Sequence, residues 1–145
     1  MYRYLLHIII DMEEKQMKEQ EEFYIIHTYS RRQVIEDHML FDVSNTAKEC
    51  SFNIPVAITR NLLYSYIEPS EACEKIGQSL SGRLRDVLAV LSFEARKAKG
   101  DRLTFKVVFL MDAETGGTET VEILAIIGPG DEGEAVLTVM LPEDE

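Results

Sequence analysis

The chain has 145 residues, of which 46% are hydrophobic and 28% charged, as is typical of one globular domain that buries a core without disulfides or metals. No apolar run approaches the ~18–20 residues that a membrane span needs. The apolar run at residues 5–10 contains a histidine and leads into acids without a cleavage motif, so it does not indicate a signal peptide. The widely separated Cys50 and Cys73 favour a reduced, cytoplasmic protein.

The net charge of −11 is concentrated at the carboxyl-terminal end of the chain. Residues 111–145 hold ten acidic side chains and no lysine or arginine, whereas residues 1–110 are nearly balanced. The ten acids are Asp112, Glu114, Glu119, Glu122, Asp131, Glu132, Glu134, Glu143, Asp144 and Glu145. Such a charge distribution repels nucleic acid and anionic membranes and favours a basic protein partner. The alternative is a solvated surface that only keeps the protein in solution.

The first elements along the chain are predicted to be short. Residues 1–22 predict a poorly ordered or loosely helical lead. Residues 23–29, FYIIHTY, predict a strand because β-branched and aromatic side chains dominate them. Ser30 and Gln33 then form a capping-box pattern, which predicts a short helix that ends near Met39.

The middle of the chain predicts helices. Residues 42–50 predict a short helix or a turn, and residues 53–69 predict a longer helix, because Pro55 suits a first helical turn and apolar residues recur at helical spacing after it. Residues 79–99 predict the longest helix, which Gly100 would end. Its apolar stripe consists of Leu80, Leu84, Val87, Leu88, Leu91, Ala95 and Ala98.

The last third of the chain predicts strands, because its hydrophobic period changes to two. The strands are predicted at residues 103–111, 120–127 and 135–141, and the glycines of residues 112–118 suit a hairpin turn that needs positive φ. Helices followed by a three-strand meander indicate a single α+β domain over residues 23–145. Its N-terminal helices would pack on a C-terminal antiparallel sheet of three to four strands.

One face of this predicted sheet is too apolar to face water. It is formed by Val108, Leu110, Leu124, Ile126, Val136 and Met140. Three covers stay open at this point: the amino-terminal segment, a short helix or a second subunit. A homodimer would use Leu110, Leu124, Ile126 and Met140 as its contacts.

The glycine-rich stretch at residues 128–133 fits either a ligand loop or a hairpin connection. A phosphate-binding loop needs a lysine and a following helix, and this stretch has neither. A calcium loop needs oxygen ligands at alternate positions, which Asp131, Glu132 and Glu134 do not supply. A hairpin connection explains the glycines, the proline and the aspartate without any ligand.

The remaining polar residues show no catalytic, metal or cofactor pattern. The histidines form no helical pair, and neither cysteine lies in a C-x-x-C motif. The sequence therefore predicts no metal, no cofactor and no enzyme activity. Ser79 and Ser81 are predicted to cap the longest helix. Arg83, Arg85 and Asp86 are predicted to form surface ion pairs, with a small polar site as the alternative.

Three blocks of the chain carry a resemblance to a known family. They are YSRRQVIEDHMLFDVSNTAKECSFNIPVAITRNL, GRLRDVLAVLSFEARK and AIIGPGDEGEAVLTVMLPEDE. With these blocks the chain resembles a family of small proteins of unknown function that bacterial plasmids and phages carry. The resemblance implies an accessory protein of a mobile element in the bacterial cytoplasm, and it carries over no catalytic residues. By analogy with other small acidic proteins of mobile elements, it implies an inhibitor of a host defence nuclease.

Two functional hypotheses follow. The first is a non-enzymatic, protein-binding factor, such as an anti-CRISPR or anti-restriction inhibitor, whose acids mimic nucleic acid in a basic groove of a nuclease complex. Its partner-binding residues would be Asp112, Glu114, Asp131, Glu132, Glu134, Glu143, Asp144 and Glu145. The second is a structural or regulatory dimeric module without inhibitory activity. Neither hypothesis includes direct contact with nucleic acid or with a membrane.

Overall fold

The structure, a computed structural model, describes residues 30–145. The predicted lead at residues 1–22 and the predicted strand at residues 23–29 lie outside the described residues. In chain order the described elements are α1 (Arg31–Glu36), β1 (Leu40–Asp42), α2 (Ser44–Glu49), β2 (Val56–Thr59), α3 (Arg60–Leu62), α4 (Glu71–Lys75), α5 (Leu80–Ala95), β3 (Arg102–Leu110), β4 (Thr118–Pro129) and β5 (Ala135–Met140). A π-helical segment (Leu63–Ile67) continues α3, and a 3-10 turn (Pro142–Asp144) follows β5.

The start of α1 follows from its capping residues. The Ser30 hydroxyl oxygen accepts the N–H of Gln33 at 3.1 Å, and the Gln33 side chain accepts the N–H of Ser30 at 3.1 Å. These two bonds confirm the predicted capping box. The helix ends at Glu36, earlier than predicted, because His38 takes a positive φ of 60° that an α-helix does not contain.

The longest predicted helix is confirmed as α5. The Ser79 hydroxyl oxygen accepts the N–H of Gly82 at 3.0 Å and caps the helix, as predicted. The prediction for Ser81 is wrong, because this residue lies inside the first turn. The middle of the predicted stripe is buried, but Leu80 at the helix start is 41% exposed, and Ala95 and Ala98 are exposed as well. The helix ends at Ala95, four residues before the predicted end at residue 99.

The predicted helix at residues 53–69 is wrong over its first half. Residues 56–59 form the buried strand β2, and α3 with its π-helical continuation occupies only the second half. Pro55 is compatible with this arrangement because it precedes the strand, and its carbonyl accepts the N–H of Leu137 at 2.9 Å. A short apolar, β-branched run fits a buried strand as well as a helix. Whether it forms a strand therefore depends on whether a neighbouring strand pairs with it.

The sheet in residues 30–145 has five strands in the order β1-β2-β5-β4-β3. The predicted meander β3-β4-β5 is confirmed and is antiparallel throughout. The α+β class is confirmed as well, but the purely antiparallel sheet is wrong, because β2 pairs with β5 in parallel register, with Ile58 opposite Val139. β1 then pairs antiparallel with the outer edge of β2.

The first face of the sheet carries the main core. Leu84, Leu88 and Leu91 of α5 pack there with inward side chains of all three meander strands, among them Phe105 and Ile123. Alternate residues along β3 and β4 point to this face, as the period of two predicts. α5 therefore covers the meander from one side.

Within the described residues, α1 packs on the second face. Val34 of this helix packs with Leu124, Ile126 and Met140 in a second core cluster, and all four side chains are buried. Of the three covers that the sequence leaves open, the short helix is the one that the structure describes on this face, whereas the amino-terminal segment lies outside the described residues. Three of the predicted dimer contacts are inaccessible in the described fold, whereas Val108 at the far side of this face stays 60% exposed.

Candidate functional site: the distribution of the acidic side chains

The eight predicted partner-binding acids do not form one surface. Asp112 and Glu114 lie in the β3–β4 hairpin, whereas Asp131, Glu132 and Glu134 lie in the β4–β5 hairpin. These hairpins are at opposite ends of the 12-residue strand β4, which spans about 35–40 Å. The last three acids follow β5 in the 3-10 turn and at the terminal residue: Glu143, Asp144 and Glu145.

The glycine-rich stretch is a hairpin connection, as predicted. Pro129 pairs with Ala135, and the turn between them includes Gly133 at a φ of 82°. The turn also has a second function, because the carboxylate of Asp131 accepts the N–H groups of Arg31 at 2.8 Å and Arg32 at 3.0 Å. Asp131 thus binds the amino-terminal end of α1, whose first N–H groups have no partner within the helix.

We expect Asp131→Asn to lower the free energy of unfolding by about 1 kcal/mol, because an amide retains one acceptor atom for the two N–H groups and loses the charge that favours a helix start. Glu132→Gln is the matched control, since the Glu132 side chain accepts no hydrogen bond within the described residues. Urea denaturation of both variants measures the difference. Equal stabilities would contradict the helix-capping role of Asp131.

Two of the terminal acids are also engaged within the fold. The Asp144 carboxylate accepts hydrogen bonds from the Thr59 hydroxyl at 2.7 Å, the Asn61 amide at 3.1 Å and the Leu141 N–H at 3.1 Å. Glu145 accepts a hydrogen bond from Arg102 at 2.6 Å, which raises the pKa of this guanidinium above its usual value. These acids hold the chain end against β2, α3 and β3, so they are not free to meet a partner.

The β3–β4 hairpin contains a fourth acid that is engaged within the fold. The Asp112 carboxylate accepts the N–H groups of Thr115 at 3.2 Å and Glu114 at 2.9 Å, and these bonds lower the pKa of Asp112. Gly116 completes the turn at a φ of 74°, so the predicted need for a glycine with positive φ is confirmed. The side chain of Glu114 is left exposed at the tip.

Other acids gather at the same end of the sheet. Glu119 lies opposite Phe109 in the β3–β4 register, and Tyr66 stacks on Phe109 with ring centroids 5.6 Å apart. Partial burial and the neighbouring carboxylates of Glu119 and Glu143 raise the pKa of Tyr66. Side chains from β3, from β4 and from the 3-10 turn therefore lie near the Tyr66 ring.

Helix α4 adds acids that come from the charge-balanced part of the sequence. The Cys73 thiol lies 3.7 Å from the carbonyl oxygen of Leu110, which places α4 beside the end of β3. Glu71 and Glu74 are exposed on this helix, together with the cation Lys75. We define the acidic end as Glu71, Glu74, Asp112, Glu114, Glu119 and Glu143. Sequence composition and spacing do not predict that Glu71 and Glu74 lie near the later acids, because the contact of Cys73 with Leu110 that brings them together forms only in the folded protein.

Arg83 of α5 is a buried arginine near the acidic end. The Arg83 guanidinium donates to the carbonyl of Tyr66 at 2.7 Å, to the carbonyl of Leu110 and to the side chain of Gln78 at 3.2 Å. The side chain is only 4% exposed. The predicted surface ion pair is therefore wrong for Arg83, because the helix turns this residue inward. Arg85 does form a surface ion pair, but with Glu49 of α2 at 3.1 Å.

The opposite end of β3 is mixed in charge. Lys97 pairs with Glu94 at 3.9 Å, and Arg102 pairs with Glu145. Among residues 30–145, no three His, Cys, Asp or Glu side chains are grouped so that they could hold a metal ion. None of the helices in that range is long and apolar enough to cross a membrane.

Comparison with known proteins adds a family but no activity. The model of a family of unknown function, DUF6573, matches residues 17–145. The chain belongs to this family. The match includes the whole described fold and the acidic end. No curated protein and no solved structure matches the chain.

Proposed function

We propose that this member of DUF6573 is a non-enzymatic, protein-binding accessory factor whose acidic end docks on a basic surface of a partner protein. The observation that carries the proposal is the gathering of carboxylates from α4, the β3–β4 hairpin and the chain end at one end of the sheet. Carboxylates grouped on one surface add their potentials, which accelerates association with a basic surface and disfavours acidic ones.

The narrower form of the proposal rests on the resemblance to small proteins of plasmids and phages. In that form the protein is a cytoplasmic factor of a mobile element, and the partner is a nucleic-acid-binding nuclease complex of a host defence system. The acidic end would occupy a groove that otherwise holds phosphates, as an anti-CRISPR or anti-restriction inhibitor does. The protein would then reduce cleavage by the nuclease without contacting nucleic acid itself.

The alternative is a structural or regulatory dimeric module. Val108 favours it, because this apolar side chain is exposed on β3, which is an edge strand of the sheet within residues 30–145, and an apolar edge strand can pair with a strand of a second copy. The dimer contacts would then lie on β3 and not on buried Leu124, Ile126 and Met140. Light scattering at micromolar concentration separates the two forms, since a strict monomer removes the dimeric module.

Capture of partners from a bacterial lysate tests the docking surface when wild type and two charge variants are compared. The acidic-end variant carries Glu71→Gln, Glu74→Gln, Glu114→Gln and Glu143→Gln, whose side chains form no hydrogen bond or salt bridge within residues 30–145. The control variant carries Asp37→Asn, Asp86→Asn, Glu122→Gln and Glu132→Gln, so its net charge is the same but the acidic end is intact. Asp131, Asp144 and Glu145 stay unchanged because they bond within the fold.

We expect the wild type and the control variant to retain a basic partner, and the acidic-end variant to lose most of it while its thermal unfolding stays cooperative. Exposed charges act through their summed potential, so each single substitution should have little effect. Equal capture by all three proteins would contradict the proposal. Equal loss in both variants would assign binding to net charge and would also contradict a defined docking surface.

A further inference from the structure

An apolar cavity of about 260 Å³ lies between the end of α5 and the first face of the sheet. Leu91, Leu103 and Leu137 are among its walls, and Ile127, which is 41% exposed, lies at its mouth. All but three of the lining residues are apolar. Short side chains leave the space open at three of them: Ala95, Ala98 and Ala125.

The size and the walls of the cavity suit a small apolar body. A cavity of about 150 Å³ with apolar walls binds benzene, so one of about 260 Å³ accommodates about ten non-hydrogen atoms. A water molecule needs polar partners, which apolar walls do not supply. An apolar ligand instead removes both its own surface and that of the walls from water.

The polar part of the lining is confined to one place. Residues 100–102, a glycine followed by Asp101 and Arg102, line the cavity where β3 begins. The Asp101 carbonyl accepts the N–H of Ile127 at 2.7 Å, which places this polar part beside the mouth. A ligand with its apolar body inside would therefore have a polar end at residues 100–102.

The charges at the mouth balance, which selects the chemistry of that polar end. Arg102 is paired with Glu145 at 2.6 Å. Asp101 has the cation Lys99 two residues before it in the chain, and its own carboxylate accepts no hydrogen bond within residues 30–145. The carboxylate can accept a hydroxyl hydrogen, whereas a charged head would meet one like charge for each opposite one.

We propose that the cavity binds an uncharged amphipathic small molecule, with an apolar body inside the walls and a hydroxyl group at residues 100–102. The inference goes beyond the proposed function and does not depend on it, because the cavity lies at the opposite end of β3 from the acidic end.

Titration of the full chain with 1-octanol, followed by heteronuclear NMR, tests the proposal. Octanoate and octylamine have the same chain length with a negative and a positive head. Ala125→Leu fills the cavity from the sheet, and Ala95→Leu fills it from the exposed end of α5. Ala89→Leu, at an exposed position of the same helix outside the lining, is the matched control. Thermal unfolding verifies that each variant folds, and either filled variant alone is sufficient.

We expect 1-octanol to bind saturably with a dissociation constant below about 1 mM and to shift the amide signals of Leu103 and Ala125. Binding should weaken about tenfold or more in each folded cavity-filling variant and should stay unchanged in Ala89→Leu. Octanoate and octylamine should bind more weakly than the alcohol.

Two results would overturn the proposal. Shifts that do not saturate with any of the three compounds, or equal binding by the wild type and a folded cavity-filling variant, would mean that the cavity is not a ligand site. Octanoate or octylamine binding as tightly as 1-octanol would remove the uncharged class of ligand.

Discussion

Leu88→Asp is expected to abolish cooperative folding. Leu88 is fully buried (0% exposed) in the middle of α5 and packs in the core on the first face of the sheet. The substitution removes its apolar contacts and places an unpaired carboxylate in their position. The expected loss is about 4–5 kcal/mol or more, which is comparable with the whole stability of a domain of this size.

Leu80→Asp is the matched control for this substitution. It introduces the same residue in the same helix, but at a position that is 41% exposed. We expect circular dichroism to show a cooperative thermal transition for Leu80→Asp and none for Leu88→Asp. A folded, cooperatively melting Leu88→Asp protein would mean that α5 does not pack on the sheet as described.

Arg83→Met is expected to have the second largest effect, a loss of about 2–4 kcal/mol in the free energy of unfolding. Methionine fills a similar volume but leaves the carbonyls of Tyr66 and Leu110 without their guanidinium donor, and each buried unsatisfied acceptor costs about 1–3 kcal/mol. The arginine connects α5, the π-helical segment and β3, so its loss also loosens the support of the acidic end.

Urea denaturation measures this effect against Arg85→Met, two positions along the same helix. The Arg85–Glu49 pair is exposed, and pairs of that kind contribute about 0–1 kcal/mol. We expect Arg85→Met to remain close to the wild type. Similar stabilities of the two variants would show that the buried hydrogen bonds of Arg83 do not support the fold.

Local periodicity predicted the elements whose own residues decide their structure. α5 has a helical apolar stripe with a serine cap, and the meander alternates with a period of two, so both could be found without tertiary information. β2 could not be found in this way, because Val56–Thr59 are all buried and show no alternation. Its parallel partner β5 lies about 80 residues further along the chain, and only the folded sheet brings the two together.

The charge distribution predicted a partner-binding role for the carboxyl-terminal acids, but it could not show which of their carboxylates are engaged within the fold. Asp131, Asp144 and Asp112 each accept hydrogen bonds from the backbone, and such engagement depends on turns and neighbours that composition does not encode. Glu71 and Glu74, which the proposal adds, were not among the predicted partner-binding acids. They lie in the part of the sequence where acidic and basic residues are nearly equal in number, so the net charge does not single them out. The contact of Cys73 with Leu110 places them near the β3–β4 hairpin.

The rate of association with the captured partner, measured over a series of salt concentrations, tests the central claim most directly. The proposal predicts that the wild type and the Asp37/Asp86/Glu122/Glu132 control associate fast at low salt and more slowly as salt screens their charges. The Glu71/Glu74/Glu114/Glu143 variant should associate slowly at low salt, and the three rates should converge at high salt. Rates for that variant equal to the wild-type rates throughout the series would contradict a docking function of the acidic end.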